Sequence, residues 1–210
     1  MTGGTQLVLF GPQLTQTQWT PEFLRRLQLE IRNNPQLEFL RHCLIQLETF
    51  VASTPLTREN VALVSQLGTL AGFARGEAIP DPQRLQGNIL LAPLTIVSQV
   101  VDWLRIPPSG ELIVQGFCIG FLSAAVVSST HTNDRSQFER YVANSIRLAA
   151  CIGFLIDQED SLKATSDRAT AISVRCQSPS HRAALETIID LFPEVCIREG
   201  FLAIGILADQ

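Results

Sequence analysis

The sequence predicts an α/β fold, and three features predict this class. An apolar, β-branched run, Leu112–Val114, stops at Gly116 and is followed by Cys118, a second glycine and residues that suit a helix. A second short apolar run, Gln6–Phe10, ends at Gly11. Elsewhere apolar residues recur mainly at helical spacing. Short strands alternating with longer helices are typical of α/β domains.

Composition excludes several classes of protein. The 210 residues carry a net charge of −4 with no basic block, which argues against a nucleic-acid surface. The five cysteines are widely spaced and form no C-x-x-C pair, which argues against a disulfide framework or a zinc site and favours a reducing, cytoplasmic location. The uncharged stretch Leu112–Asn133 is interrupted by glycines and polar residues, so we interpret it as a buried strand and helix rather than a membrane span.

The N-terminal half predicts a buried strand and then four helices. Thr20 and Pro21 form an N-cap and first-turn pair, and Asn33-Asn34-Pro35 ends the first helix. Thr57 is predicted to open the third helix, and the fourth is predicted over Leu90–Arg105. The apolar faces of the second and third helices consist of Leu37, Leu40, Leu44, Leu47 and Val51, and of Leu63, Leu67, Leu70 and Ala74.

The C-terminal half predicts a long helix and then a smaller unit. The helix is predicted from Arg135 to Ile156, and the polar stretch Asp157–Arg168 is interpreted as a linker. Apolar and polar residues alternate over 172–177, as in a half-buried strand. A predicted helix and a final apolar, strand-like run over 195–207 follow. Together these elements predict half of a ferredoxin-like subdomain. The predicted boundaries are 1–160 and 168–210. The inner face of the long helix is predicted to comprise Phe138, Tyr141, Val142, Ser145, Ala149 and Ile152.

The segment 116–120, Gly-Phe-Cys-Ile-Gly, has the spacing of a nucleophile elbow with sulfur in place of the usual serine oxygen. A strand-to-helix turn of this kind is cramped, so the residues two before and two after Cys118 must be small. The following helix directs free N–H groups toward the turn, and the backbone N–H of Ile119 could hold an oxyanion there. The alternative is that Cys118 is only a small buried hydrophobic residue.

With these elements placed, the chain resembles the starter-unit acyltransferase domain of fungal non-reducing polyketide synthases. The resemblance runs from about residue 6 to about 197 and rests on the following segments: Leu9–Gln13, the elbow Gly116–Gly120, Asn144–Gly153, Ile172–Pro179 and Leu191–Val195. It implies an acyltransferase-type, α/β-hydrolase-like large subdomain preceded by N-terminal helices, together with part of a ferredoxin-like small subdomain.

The resemblance also implies thiol-based acyl transfer. Cys118 would take an acyl group from coenzyme A or a phosphopantetheine thioester and pass it to an acyl carrier protein within a polyketide synthase. No tightly bound cofactor and no metal are expected. The N–H of Gln13 would be a second oxyanion donor, and Phe117, Asn144 and Arg147 would be candidate substrate contacts. The family generally takes uncharged starter groups, and the alternative role for Arg147 is that of a salt-bridged residue of the helix surface.

The main departure from the family concerns its general base. In the family this base is a histidine in a later part of the fold than this chain reaches. His131 lies 13 residues after Cys118 across a helix, roughly 15–20 Å away, whereas a base must be within about 3 Å of its proton. His42 and His181 lie in the N-terminal helices and the small subdomain. We therefore expect a domain truncated before its histidine, with impaired activity. The alternatives are an inactive remnant, a carrier-protein docking module or an α/β-hydrolase-type thiol esterase.

Overall fold

The computed structural model describes residues 5–14, 18–54, 61–77, 79–81, 85, 87–106, 111–129, 134–163 and 183. All its elements lie in one compact unit, Met1–Ala164. In chain order they are β1 (Thr5–Phe10), α1 (Pro21–Asn33), a 3-10 turn (Pro35–Leu37), α2 (Glu38–Ala52), α3 (Val61–Ser65), α4 (Gly68–Arg75), α5 (Asn88–Arg105), β2 (Glu111–Gly116), α6 (Gly120–Ser129) and α7 (Arg135–Lys163). The class is α/β, mostly helical with a small parallel sheet.

The predicted start and end of α1 are confirmed. The Oγ1 of Thr20 accepts a hydrogen bond from the N–H of Phe23 at 3.2 Å, and Pro21 occupies the first helical position. This cap satisfies one of the N–H groups that a helix start leaves unpaired. Asn34 ends α1 and caps the 3-10 turn by accepting from the N–H of Gln36.

The predicted apolar face of α2 is confirmed, because all five of its residues are buried. The prediction of a single third helix was wrong, because the structure has two short helices, α3 and α4, separated by a turn at Gln66-Leu67. In this turn the N–H of Leu67 donates to the carbonyl of Val64, three residues earlier. Gly68, a poor helix former, follows this turn. Leu67 itself is fully buried, so the break still lets both short helices turn apolar residues toward the core.

Helices α5 and α7 form the centre of the core, where their backbones approach closely at Gly153. A Cβ at Gly153 would lie 2.4 Å from the carbonyl oxygen of Asn88, so only glycine permits this approach. The linker predicted from Asp157 was wrong over its first seven residues, because α7 continues to Lys163. This stretch contains no glycine or proline and Asp157 bonds to α5, so nothing ends the helix at Ile156. The buried face of α7 is Phe138, Val142, Ile146, Ala149, Ala150, Gly153 and Phe154.

The sheet consists of β1 and β2 in parallel register, with Phe10 opposite Gly116 at the carboxyl ends. Helix α6 packs on one face, where Phe10 contacts a cluster with Ala124 and Val127. The prediction that β1 is buried was wrong for its other face, where Leu7 and Leu9 are 56% and 61% exposed. Among the described residues no element covers this face, because both strands alternate and only one set of side chains meets α6.

Several predictions fall outside the described residues. These are the helix start at Thr57, the residues His131 and His181, and the strands and helix of the small subdomain over 168–210. No helix in the described ranges is long and apolar enough to span a bilayer.

Candidate active site

Cys118 lies at the turn between β2 and α6 in a strained backbone conformation. Its φ is +56°, and no other non-glycine residue in the described part of the chain has a positive φ. A left-handed conformation costs a side-chain-bearing residue about 1–2 kcal/mol. The thiol is exposed and free. The alternative interpretation, a small buried hydrophobic residue, is therefore wrong.

The two flanking glycines are required by close backbone contacts. A Cβ at Gly116 would lie 2.4 Å from the carbonyl oxygen of Gly120 and 2.6 Å from the Cα of Phe121. A Cβ at Gly120 would lie 2.2 Å from the carbonyl oxygen of Gly11 and 2.5 Å from that of Phe10. The turn is thus folded tightly onto the end of β1.

The backbone hydrogen bonds of the turn leave the N–H groups of Cys118 and Ile119 without an acceptor among the described residues. The N–H of Phe117 donates to the carbonyl of Phe10 at 2.9 Å, that of Gly120 to Phe117 at 3.0 Å, and that of Phe121 to Cys118 at 3.0 Å. Within the described structure no group accepts a hydrogen bond from the N–H of Ile119. Such a donor at a helix start suits an anion that forms at the adjacent thiol.

The loop after β1, Gly11–Leu14, leaves the sheet at the same edge as Cys118, since parallel strands end together. The Nε2 of Gln13 donates to the Oδ1 of Asn88 at 2.9 Å. The backbone N–H of Gln13 has no acceptor among the described groups. Two further α5 side chains bond this loop: Thr95 Oγ1 accepts from the N–H of Leu14 at 3.3 Å, and Gln99 Nε2 donates to the carbonyl of Gly11 at 2.8 Å.

Sequence reasoning missed these α5 side chains. Residues 88, 95 and 99 are spaced by seven and four, so they share one helix face. They are polar in a helix whose neighbouring residues are almost all apolar and buried. Three polar residues on one face of an otherwise apolar helix were the sequence signal that could have indicated this role.

Two shallow grooves run along α6. One, of about 460 Å³, is lined by Gly116, Phe121 and Ala124. The other, of about 220 Å³, lies between α6 and α7 and includes Asn144. Phe117 and Phe121 are 46% and 64% exposed, so two apolar side chains are exposed within three residues of Cys118.

Arg147 does not line the Asn144 groove. Its guanidinium stacks over the ring of Phe50 in α2 at 5.0 Å. Its charge also lowers the pKa of the Cys43 thiol, although burial dominates and raises that pKa to about 11. Arg147 is one turn from Asn144 on α7, but its guanidinium packs on α2 and does not line the groove, so its packing is structural.

His42 is the one histidine within the described ranges, and it is exposed on α2, which does not contribute to the turn. Those ranges also contain no cluster of three or more histidine, cysteine or acidic side chains that could bind a metal ion.

We expect the strain at Cys118 to be measurable. Cys118→Gly should be more stable than Cys118→Ala by about 0.5–1 kcal/mol, because glycine relieves the left-handed conformation but gains entropy in the unfolded chain. Urea unfolding of both variants measures this difference. A Cys118→Gly variant less stable than Cys118→Ala by about 0.5–1 kcal/mol, the entropic cost of glycine alone, would show that the turn carries no strain.

Comparisons with known proteins match most of this chain. Residues 8–194 match the family described as starter unit:ACP transacylase in aflatoxin biosynthesis. The chain is 28% identical over 190 residues to the non-reducing polyketide synthase adrD of Penicillium roqueforti, covering 87% of this chain and 7% of that protein. It is 29% identical over 210 residues to the non-reducing polyketide synthase pks11 of Talaromyces marneffei, covering 94% of this chain and 8% of that protein. The chain thus spans less than a tenth of the length of either relative.

Proposed function

Because the chain belongs to the starter unit:ACP transacylase family, we propose that it accepts a starter acyl group on Cys118 and transfers it to an acyl carrier protein in polyketide biosynthesis. The observation that carries this proposal is the exposed thiol at φ +56°, next to the unpaired N–H of Ile119. Strained residues of this kind cluster at functional sites. The family relationship also supports an α/β-hydrolase-like large subdomain over 1–160 and a partial ferredoxin-like subdomain over 168–210, which we likewise propose.

In the proposed reaction the Cys118 thiol gives up its proton to solvent, and the resulting thiolate attacks the carbonyl carbon of an acyl thioester. The oxygen becomes negatively charged and accepts hydrogen bonds from the N–H groups of Ile119 and Gln13. The bond from the carbonyl carbon to the donor sulfur then breaks, and the donor leaves as a thiolate that takes up a proton. The phosphopantetheine thiol of a carrier protein repeats the attack on the Cys118 thioester and releases Cys118. Since one thioester is exchanged for another, no step is a deep energy trap.

The site favours an uncharged acyl group. Phe117 and Phe121, within three residues of Cys118, are exposed, and the groove that Gly116 and Phe121 line consists largely of small and apolar residues. Arg147, the side chain that could have paired with a free carboxylate, stacks on Phe50 and lines neither groove. An acetyl or longer fatty acyl unit is therefore the proposed starter.

Acylation of the intact protein tests this function. Incubation with hexanoyl-N-acetylcysteamine should add one hexanoyl group, and peptide mapping should place it on Cys118. The cysteines at 43 and 151 serve as internal controls, because burial raises the pKa of both thiols and makes them poor nucleophiles. Absence of an adduct on Cys118 would contradict the proposal. Carrier-protein binding without any adduct would instead indicate a docking module.

A further inference from the structure

We propose that Asn88, Thr95 and Gln99 of α5 are positioning residues for the oxyanion site, because they hold the loop Gly11–Leu14 against the turn of Cys118. This inference rests on the proposed function, since it concerns the donor that Gln13 supplies to the same reaction. The three side chains form one stripe on α5, and each bonds a different residue of the loop.

Thr95 and Gln99 hold the two ends of the loop through hydrogen bonds to its backbone. The Thr95 hydroxyl is fully buried; it donates to the carbonyl of Leu91 at 2.8 Å and so offers its lone pairs to the N–H of Leu14. Gln99 holds the carbonyl of Gly11 at 2.8 Å. With both ends of the loop bound to α5, the N–H of Gln13 between them remains available for a ligand.

Asp157 on α7 sets the direction of the hydrogen bonds at Asn88. Its Oδ1 accepts from the backbone N–H and the Nδ2 of Asn88 at 2.8 and 2.7 Å, and its Oδ2 accepts from the N–H of Ile89 at 2.8 Å. Both carboxylate oxygens of Asp157 accept from backbone N–H groups, and Asn88 turns its Nδ2 toward Asp157 and its Oδ1 toward Gln13. Gln13 must then donate through its Nε2, which selects one orientation of both amides.

The loop is also in direct contact with the turn. The carbonyl of Phe10 accepts from the N–H of Phe117, and the carbonyl of Gly11 lies against Gly120. A displacement of the loop from α5 would therefore change its distance from the thiol. We expect this to affect a reaction that develops an oxyanion more than one that does not, since oxyanion donors act only on the developing charge.

The test compares two reactions of the same thiol in the full chain. Acylation by hexanoyl-N-acetylcysteamine passes through an oxyanion, whereas alkylation by iodoacetamide does not. Thr95→Val and Gln99→Met should each slow the maximal rate of Cys118 acylation about tenfold, with little change in the half-saturating concentration. Alkylation of Cys118 should stay within about twofold of the wild type, because the thiol itself is unchanged.

Matched variants separate positioning from folding. Thr95→Ser keeps the hydroxyl and should restore acylation, while Ser98→Ala removes a buried hydroxyl of the same helix that bonds no loop residue and should have no effect. Gln99 is only half-buried, so Gln99→Met carries the test if Thr95→Val does not fold. Normal acylation in folded variants, or equal losses of acylation and alkylation, would overturn this inference. A wild-type chain that is alkylated but not acylated would overturn the proposed function as well.

Discussion

Cys118→Ala is expected to abolish acyl transfer while leaving the fold and carrier-protein affinity intact. The thiol is exposed, so its removal leaves no cavity, and alanine adopts the same backbone conformation at the same cost as cysteine. Loss of a covalent nucleophile lowers the rate of such reactions by about 10³-fold or more. Single-turnover transfer of a hexanoyl group to a phosphopantetheinylated carrier protein, followed by mass spectrometry, measures this loss.

Cys151→Ala is the matched control, because it removes a half-buried thiol on α7 outside the turn. It should transfer the acyl group at the wild-type rate. Acylation that persists in Cys118→Ala would place the acceptor elsewhere in the chain. Loss of carrier binding in Cys118→Ala would show that the thiol contributes to docking, which the present geometry does not predict.

Gly120→Ala is expected to destabilise the domain by about 3 kcal/mol, the upper range for overpacking a close contact. The added Cβ would lie 2.2 Å from the carbonyl oxygen of Gly11 and 2.5 Å from that of Phe10, and neither backbone atom can rotate away. The carbonyl of Phe10 is also held by the N–H of Phe117. Relief therefore requires α6 and β1 to separate, which would also disrupt the site at Cys118.

Gly11→Ala provides the control for this prediction. A Cβ at Gly11 meets nothing within 4 Å, so its stability should match the wild type to within about 0.5 kcal/mol. Urea unfolding of the two variants under identical conditions gives the difference. A Gly120→Ala protein as stable as Gly11→Ala would mean that the turn is looser than described.

The parts of the fold that depend on neighbouring residues could be predicted from the sequence. Thr20 and Pro21 begin α1 because a side-chain oxygen and a fixed φ act within three residues. The buried face of α2 follows from helical periodicity alone. The position of Cys118 in a tight turn followed from the glycines on either side, since only small residues permit that backbone approach.

Tertiary structure decided the features that depend on distant residues. Gln13 bonds Asn88 across 75 positions, and Asn88 bonds Asp157 across 69, so no local pattern indicates either contact. The same contact explains why Asp157 belongs to a helix rather than a linker, because its carboxylate caps α5. Arg147 was ambiguous in the sequence, since only the packing of α7 on α2 places its guanidinium over Phe50. The glycines beside Cys118 thus determined that the thiol lies at a tight turn, whereas packing between distant residues decided which groups surround it.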